Sequence, residues 1–275
     1  MTTRAFVIGH PIAHSRSPLI HGTWLAEHGI DGSYEAIDVA PDELAGFVGR
    51  VREGAFAGGN VTIPHKEAVF ALCDEVDPLA RQIGAVNTLV MRGGTLFGTN
   101  TDYLGFLGNL DAGAPGWSEG LERALVIGAG GAARAILVAL ASRGIPVILL
   151  NRTRASADRL AAELDGDITV GQLDDINAAA PLAGLVVNTT SIGMHGSRFE
   201  TFDLGLLNPG TIVTDIVYVP LETPLLAEAR ARGLKTVDGL GMLLHQAVPG
   251  FEAWFGVRPQ VTPVLRASVE ATLGH

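Results

Sequence analysis

The stretch "ALVIGAGGAARAILVALA", residues 124–141, constrains this chain more than any other. An apolar run ends directly in G-x-G-x-x-A at Gly128, Gly130 and Ala133, and apolar residues at helical spacing follow. That order demands a strand, a tight turn and a helix in succession. The segment is apolar enough to suggest a membrane span, but Gly128, Gly130, Gly131 and Arg134 interrupt it, and strand–turn–helix accounts for all of it. Glycines in this turn let backbone approach a pyrophosphate, and the helix N-terminus stabilises the negative charge. The bland alternative is a tight strand–helix turn with no ligand.

The chain around this motif alternates. Before it, "RAFVIG", "YEAIDV" and "FAGGNVT" read as strands. The segment after Pro18, "PDELAGFVGRV" and "PHKEAVFALC" read as helices that open on Pro18, Pro41 and Pro64. "NTLVMRGGTLFGTNTD" reads as a hairpin turning at Gly93-Gly94, with Asn87 opposite Asn100 and Asp102 just beyond. "DAGAPGWSEG", 111–120, reads as a boundary. After it come strands at Ala124, "VILLN", "GLVVNTT", "TIVTDIVY" and "KTVDG", and then a mostly helical end from "GMLLHQAVPGFEAWFG". The expectation is a two-domain α/β protein with a cleft between the domains. A mostly parallel first domain spans 1–110 and takes back 243–275, and a Rossmann-type domain spans 111–242.

Length and charge narrow the function. The 275 residues are 47% hydrophobic and 17% charged, enough for two cores. A formal net charge of −10 argues against a nucleic-acid binder and against an anionic membrane surface. One cysteine, Cys73, permits no internal disulfide and suits a reducing compartment, and no secretory leader is read at the N-terminus, so a soluble cytoplasmic protein is expected. A monomer and a homodimer are equally compatible with these features.

The strand after the glycine loop runs into "NRTR". An acid there would bond the ribose 2′-OH of NAD. Asn151 is neutral, and Arg152 offers a guanidinium that pairs with a 2′-phosphate, so the dinucleotide is expected to be NADP.

Two further motifs suggest a substrate seat. In "HSRSP", Ser17 reads as an N-cap with Pro18 at the first helical position, and Ser15 adds a second hydroxyl at a helix end that attracts anions. In "NVTIPHK", Lys66 falls in the first turn of the helix opened by Pro64, where the dipole disfavours a cation. Such a lysine makes sense facing an anionic substrate or exchanging protons; the plain alternative is an exposed side chain. The histidines 10, 14, 21, 28 and 65 lack the cysteines or carboxylates that would complete a metal site, so no metal is expected.

At this point "HSRSP", "NVTIPHK", "GAVNT", "GTNTD", "GAGGAARA", "NRT", "NTTSIGM", "DIVY" with "TPLL", and "DGLGMLLHQA" together resemble the shikimate dehydrogenase family, in family order from residue 14 to 247. The resemblance implies reversible, NADPH-dependent reduction of 3-dehydroshikimate to shikimate in aromatic amino acid biosynthesis. It implies that Lys66 and Asp102 are catalytic, and that Ser15, Ser17, Thr62, Asn87, Tyr218 and Gln246 bind the substrate. It implies that Gly128, Ala129, Gly130, Gly131 and Ala132 take the pyrophosphate, and that Asn151, Arg152 and Thr153 take the adenosine phosphate end. Thr189, Met194, Val217, Gly239 and Met242 would surround the ribose and nicotinamide. The rivals are a broader quinate/shikimate dehydrogenase using NAD, and a non-catalytic NADP-binding regulator on the same fold. Ser15, Arg152 and the intact pair Lys66 and Asp102 argue against them.

Overall fold

The computed structural model describes residues 2–274. Backbone contacts divide the chain into two compact units. The first takes the chain up to Thr101 and regains it at Gln246–Ala271; the second holds Asp102–His245 and the chain end from Thr272.

In the first unit the strands are β1 (Thr3–Gly9), β2 (Gly32–Asp38), β3 (Gly58–Val61), β4 (Glu75–Val76), β5 (Thr88–Arg92) and β6 (Thr95–Thr99). Its helices before Thr101 are α1 (Ser17–Glu27), α2 (Leu44–Arg50) and α3 (Pro78–Ile83). The sheet order is β2-β1-β3-β5-β6-β4, and only β5 runs against the rest. The Gly93-Gly94 turn joins β5 to β6 with Arg92 paired to Thr95, as the hairpin reading expects. Phe6 lies edge-on to Phe47 and Phe56, with centroids 4.8 and 5.1 Å apart, and anchors one face of the sheet.

Strand β3 fits between β1 and β5 because it begins with two glycines. A Cβ at Gly59 would lie 2.4 Å from the Phe6 ring. One at Gly58, which has φ of +151°, would lie 2.1 Å from the Leu89 carbonyl oxygen and 2.5 Å from the Trp254 indole nitrogen. That indole donates to Leu89 O at 2.8 Å.

The second unit opens with α4 (Asp102–Gly113) and continues through β7 (Ala124–Ile127), α5 (Gly131–Ser142), β8 (Val147–Asn151), α6 (Arg154–Ala162) and β9 (Ile168–Gln172). Then come α7 (Ile176–Ala179), β10 (Leu185–Asn188), β11 (Ile192–His195), β12 (Ile212–Asp215), α8 (Pro224–Ala231) and β13 (Lys235–Val237). The order β13-β12-β10-β7-β8-β9 is fully parallel, the doubly wound arrangement of a dinucleotide fold. Helix α9 (Leu240–Phe255) carries the chain out of this unit, and α10 (Pro263–Glu270) packs on α1. Among the described residues, no helix is long and apolar enough to cross a membrane.

Three sequence expectations change. No α-helix opens at Pro64: residues 63–68 form turns, and a short 3-10 segment follows at Val69–Leu72. The Lys66 carbonyl accepts the Val86 N–H at 2.8 Å, so this backbone serves a tertiary contact instead of a helical ladder. Lys66 is therefore not in a first helical turn, and the dipole argument for it does not apply. The break between units falls at Asp102, ahead of the glycine- and proline-rich stretch, because α4 packs on α5. Strand β9, "ITVGQ", escapes the sequence reading because it is an edge strand with little burial.

Helix α1 buries His21 completely in a mostly aromatic setting, with Asn60 as its polar neighbour. Its ring stacks on Tyr34 with centroids 3.9 Å apart and lies among Trp24, Phe251 and Trp254. Burial lowers its pKa from 6.5 to about 3, so the folded state keeps it neutral. The unfolded chain binds that proton and the folded one does not, so stability falls as pH drops from about 6.5 toward 3. The slope from this one group approaches ~1.4 kcal/mol per pH unit in the middle of that window. Urea denaturation of His21→Phe across this range should lose that slope.

Candidate active site

In the first unit, the C-terminal ends of β1 and β3 bring the motif loops together. The Thr62 N–H donates to Ile8 O at 2.9 Å, and the His10 N–H donates to Ile63 O at 3.1 Å. Gly9 is required here, since a Cβ would stand 2.7 Å from the Thr62 methyl. His65 is buried and its Nε2 bonds Val39 O at 2.7 Å, which fixes the turn before Lys66. The Val86–Lys66 backbone bond then sets Lys66 beside the segment carrying Asn87.

Ser17 departs from its expected role. It is the first residue of α1 rather than its N-cap; Arg16 takes the cap position and makes no side-chain cap bond. The hydroxyl of Ser15 accepts the Ser17 N–H at 3.3 Å, so Ser15 does part of the capping. The buried Ser17 hydroxyl bonds Tyr34 instead. Burial pushes the Tyr34 phenol well above its ordinary pKa, with the bonds to Ser17 and Asn60 acting the other way.

From Tyr34 a buried polar chain runs through the unit. The phenol donates to Asn60 Oδ1 at 2.6 Å, and Asn60 Nδ2 donates to Asn87 O at 3.3 Å and Thr88 Oγ1 at 3.2 Å. Asn87 closes the hairpin: its Oδ1 accepts the Thr101 N–H at 2.7 Å and its Nδ2 donates to Thr101 Oγ1 at 3.1 Å. The Thr101 hydroxyl reaches Gln246 Oε1 at 3.4 Å. Thus Ser17, Asn87 and Gln246 belong to one connected set. Its linking members Tyr34, Asn60, Thr88 and Thr101 are absent from the sequence-derived site. The available signal was a row of polar side chains at strand positions that read as buried. Asp102 opens α4 and is counted with the second unit, as is the half-buried Tyr218.

In the second unit the glycine loop forms a cradle. Gly128 has φ of +107°, and a Cβ there would lie 2.6 Å from Thr189 Oγ1. The Thr189 hydroxyl donates to Ile127 O at 2.8 Å, so it fixes the loop itself. Gly130 caps α5, and neither Gly130 nor Gly131 has any atom within 4 Å of a would-be Cβ. The Arg134 N–H makes the bond to Gly130 O, so the earlier N–H groups of α5 have no partner within the helix. Asn151 Nδ2 donates to Thr153 O at 2.9 Å and holds the "NRT" turn. Arg152 is exposed, and no carboxylate pairs with it among the described residues, whereas Arg154 pairs with Asp158 at 3.7 Å. An open helix N-terminus and an unmatched guanidinium fit a dinucleotide carrying an extra phosphate. Gly239 has a packing duty: a Cβ would meet Ile216 O at 2.4 Å. Met194 is exposed, Met242 half-buried and Val217 buried.

Comparison with known proteins gives the same pattern over the whole chain. Residues 7–89 match the shikimate dehydrogenase substrate binding domain, 118–198 the shikimate/quinate 5-dehydrogenase model, and 239–267 the shikimate 5′-dehydrogenase C-terminal domain. A Mesorhizobium japonicum protein named shikimate dehydrogenase (NADP(+)) is 58% identical over 273 residues, covering 99% of this chain and 97% of its own. The chain belongs to the shikimate dehydrogenase family. A Methylobacterium radiotolerans family member of the same name is also 58% identical, covering 99% of this chain and 98% of its own. The Thermus thermophilus family member, solved with NADP(H) and shikimate, is 39% identical with a TM-score of 0.84 over 99% of this chain and 98% of its own. The two-domain α/β expectation agrees with these shikimate dehydrogenase structures.

The polar chain predicts a specific weakness. Tyr34→Phe leaves the buried Asn60 Oδ1 without its donor, a loss of about 1–3 kcal/mol. Chemical denaturation should read that loss, and Ser33→Ala on the same strand should not reproduce it.

Proposed function

We propose that this protein catalyses the reversible NADPH-dependent reduction of 3-dehydroshikimate to shikimate, a step of aromatic amino acid biosynthesis. The observation that carries the reading is the 58% identity, over 99% of the chain, to a protein named shikimate dehydrogenase (NADP(+)). The substrate is a small hydroxylated carboxylate, and it needs an anion seat and several hydroxyl partners. Ser15 and Ser17 hold the carboxylate; Thr62, Asn87, Tyr218 and Gln246 hold the hydroxyl groups on the ring. Lys66 and Asp102 share the proton exchanged with the reacting oxygen. NADP supplies or accepts the hydride. The unit that runs to Thr101 and resumes at Gln246–Ala271 serves the substrate, and the unit Asp102–His245 serves the cofactor. The backbone N–H groups from Gly128 to Ala132 take the pyrophosphate. Asn151, Arg152 and Thr153 take the adenosine phosphate end, with Thr189, Met194, Val217, Gly239 and Met242 toward the ribose and nicotinamide. A cytoplasmic setting accords with the single cysteine, which is free.

The direct test is NADP reduction with shikimate, repeated with quinate and with NAD. Turnover with shikimate and NADP, and weak use of quinate or NAD, is the expected result. Comparable rates with quinate and NAD would favour the broader dehydrogenase, and no turnover at all would favour a regulator.

Arg152→Ala should raise the Michaelis constant for NADP about 10- to 100-fold and leave NAD use little changed, because a charge-assisted contact is worth roughly 1.5–3 kcal/mol. Equal losses with both dinucleotides would show that Arg152 does not read the phosphate.

Lys66→Ala should lower kcat by about 10²–10⁴, with a much smaller change in KM for shikimate. Asp102→Asn should do comparable harm, and the double variant should be far from additive, since the pair acts as one unit. Normal turnover of Lys66→Ala at saturating shikimate would leave Lys66 as a binding residue only.

A further inference from the structure

The second unit holds a fully buried carboxylate for which the proposed chemistry has no use. Asp215 ends β12 with none of its surface exposed. Its Oδ1 accepts from Asn188 Nδ2 at 2.9 Å and from the Val217 N–H at 3.0 Å. Its Oδ2 accepts the Thr223 hydroxyl at 2.8 Å. That hydroxyl in turn accepts the Leu226 N–H at 3.4 Å, so its proton is directed at Asp215. Burial raises the Asp215 carboxyl from its ordinary range, and these donors oppose the shift.

Each partner controls a different segment. Asn188 ends β10, and its Nδ2 also donates to Ile192 O at 2.7 Å. Its Oδ1 accepts the Thr190 N–H at 3.0 Å and the Thr190 hydroxyl at 2.7 Å, which shapes "NTTSIGM". Val217 belongs to the turn after β12, and Thr223 caps α8. Gly193 closes over the cluster with φ of +115°: a Cβ there would stand 3.2 Å from the Thr223 methyl and 3.3 Å from Asp215 Oδ2. The segments tied to this carboxylate carry Thr189, Met194, Val217 and Tyr218. None of them carries Arg152, although Thr189 also donates to Ile127 O at the head of the glycine loop.

We propose that Asp215 is a positioning residue for the nicotinamide end of the cofactor site, holding the 188–194 and 216–218 segments in register through Asn188, Val217 and Thr223. This rests on the reading that the unit binds NADP. It makes the nicotinamide half of the site separable from the adenosine half, because the bonds of the "NRT" turn do not pass through Asp215.

The test compares two ligands. NADPH spans the whole site, and 2′,5′-ADP carries only the adenosine and phosphate end. In Asp215→Ala, three buried donors lose their acceptor. NADPH affinity should fall about 10- to 100-fold and kcat with it, while 2′,5′-ADP affinity stays within about twofold of the parent. Asp215→Asn should recover most of the loss, because its Oδ1 can still accept from Asn188 and Val217. Thr223→Val, which removes one donor, should move NADPH affinity in the same direction by less, and it decides the matter where Asp215→Ala does not fold. Equal weakening of both ligands, or unchanged NADPH binding in the variants, overturns the proposal. A parent protein that binds neither ligand overturns the cofactor reading and this inference together.

Discussion

Strands that stop at one end of each sheet leave backbone groups with no neighbouring strand to bond, and in both units buried polar side chains take up that duty. Asn60 at β3 and Asn87 before β5 do so in the first unit; Asn188 at β10, with Asp215 at β12, does so in the second. A buried amide is tolerable only when its donors and acceptor are all matched, so each one dictates the course of the chain around it. Asn87 accepts the Thr101 N–H and thereby fixes where the hairpin ends and α4 begins. Asn188 bonds Ile192 and Thr190 and so shapes the loop after β10. The loops that carry the proposed chemistry are held by the cores beneath them.

Close approach is the second constraint, and it explains particular glycines. Gly59 lets β3 lie against Phe6, and Gly9 lets the first motif loop meet Thr62. Gly128 makes room for the Thr189 hydroxyl, which in turn grips the carbonyl before the loop. Gly130 and Gly131 differ: nothing lies near their would-be Cβ atoms. Neither residue is explained by packing; bare backbone at the start of α5 is what close approach to a pyrophosphate requires.

How much of this was legible follows from the range of the interactions. The strand–turn–helix at 124–141 and the Gly93-Gly94 hairpin are written in local patterns, and the structure has both. The helix expected at Pro64 fails because a remote group, the Val86 N–H, takes the Lys66 carbonyl. Ser17 beside Pro18 has the local signature of a cap, yet its hydroxyl turns inward to Tyr34, another long-range partner. Strand β9 exposes too much of its length to have an apolar signature. The linking residues Tyr34, Asn60, Thr88 and Thr101 carry no local signature for the same reason: each has meaning only through partners distant in sequence.

The charge distribution bears on how a chain of net charge −10 accommodates an anionic dinucleotide. An acidic surface repels such a ligand at long range, within roughly a Debye length of ~8–10 Å at ordinary salt. The favourable terms must therefore be local. Arg154 is paired with Asp158, and Arg134 with Glu163, so both are already compensated. Arg152 has no such carboxylate among the described residues and stands at the end of β8, where a 2′-phosphate would replace water around an uncompensated guanidinium. Discrimination between dinucleotides then needs no additional positive charge. On the role proposed for Arg152, it would follow from leaving that arginine without a carboxylate while Arg154 and Arg134 are paired.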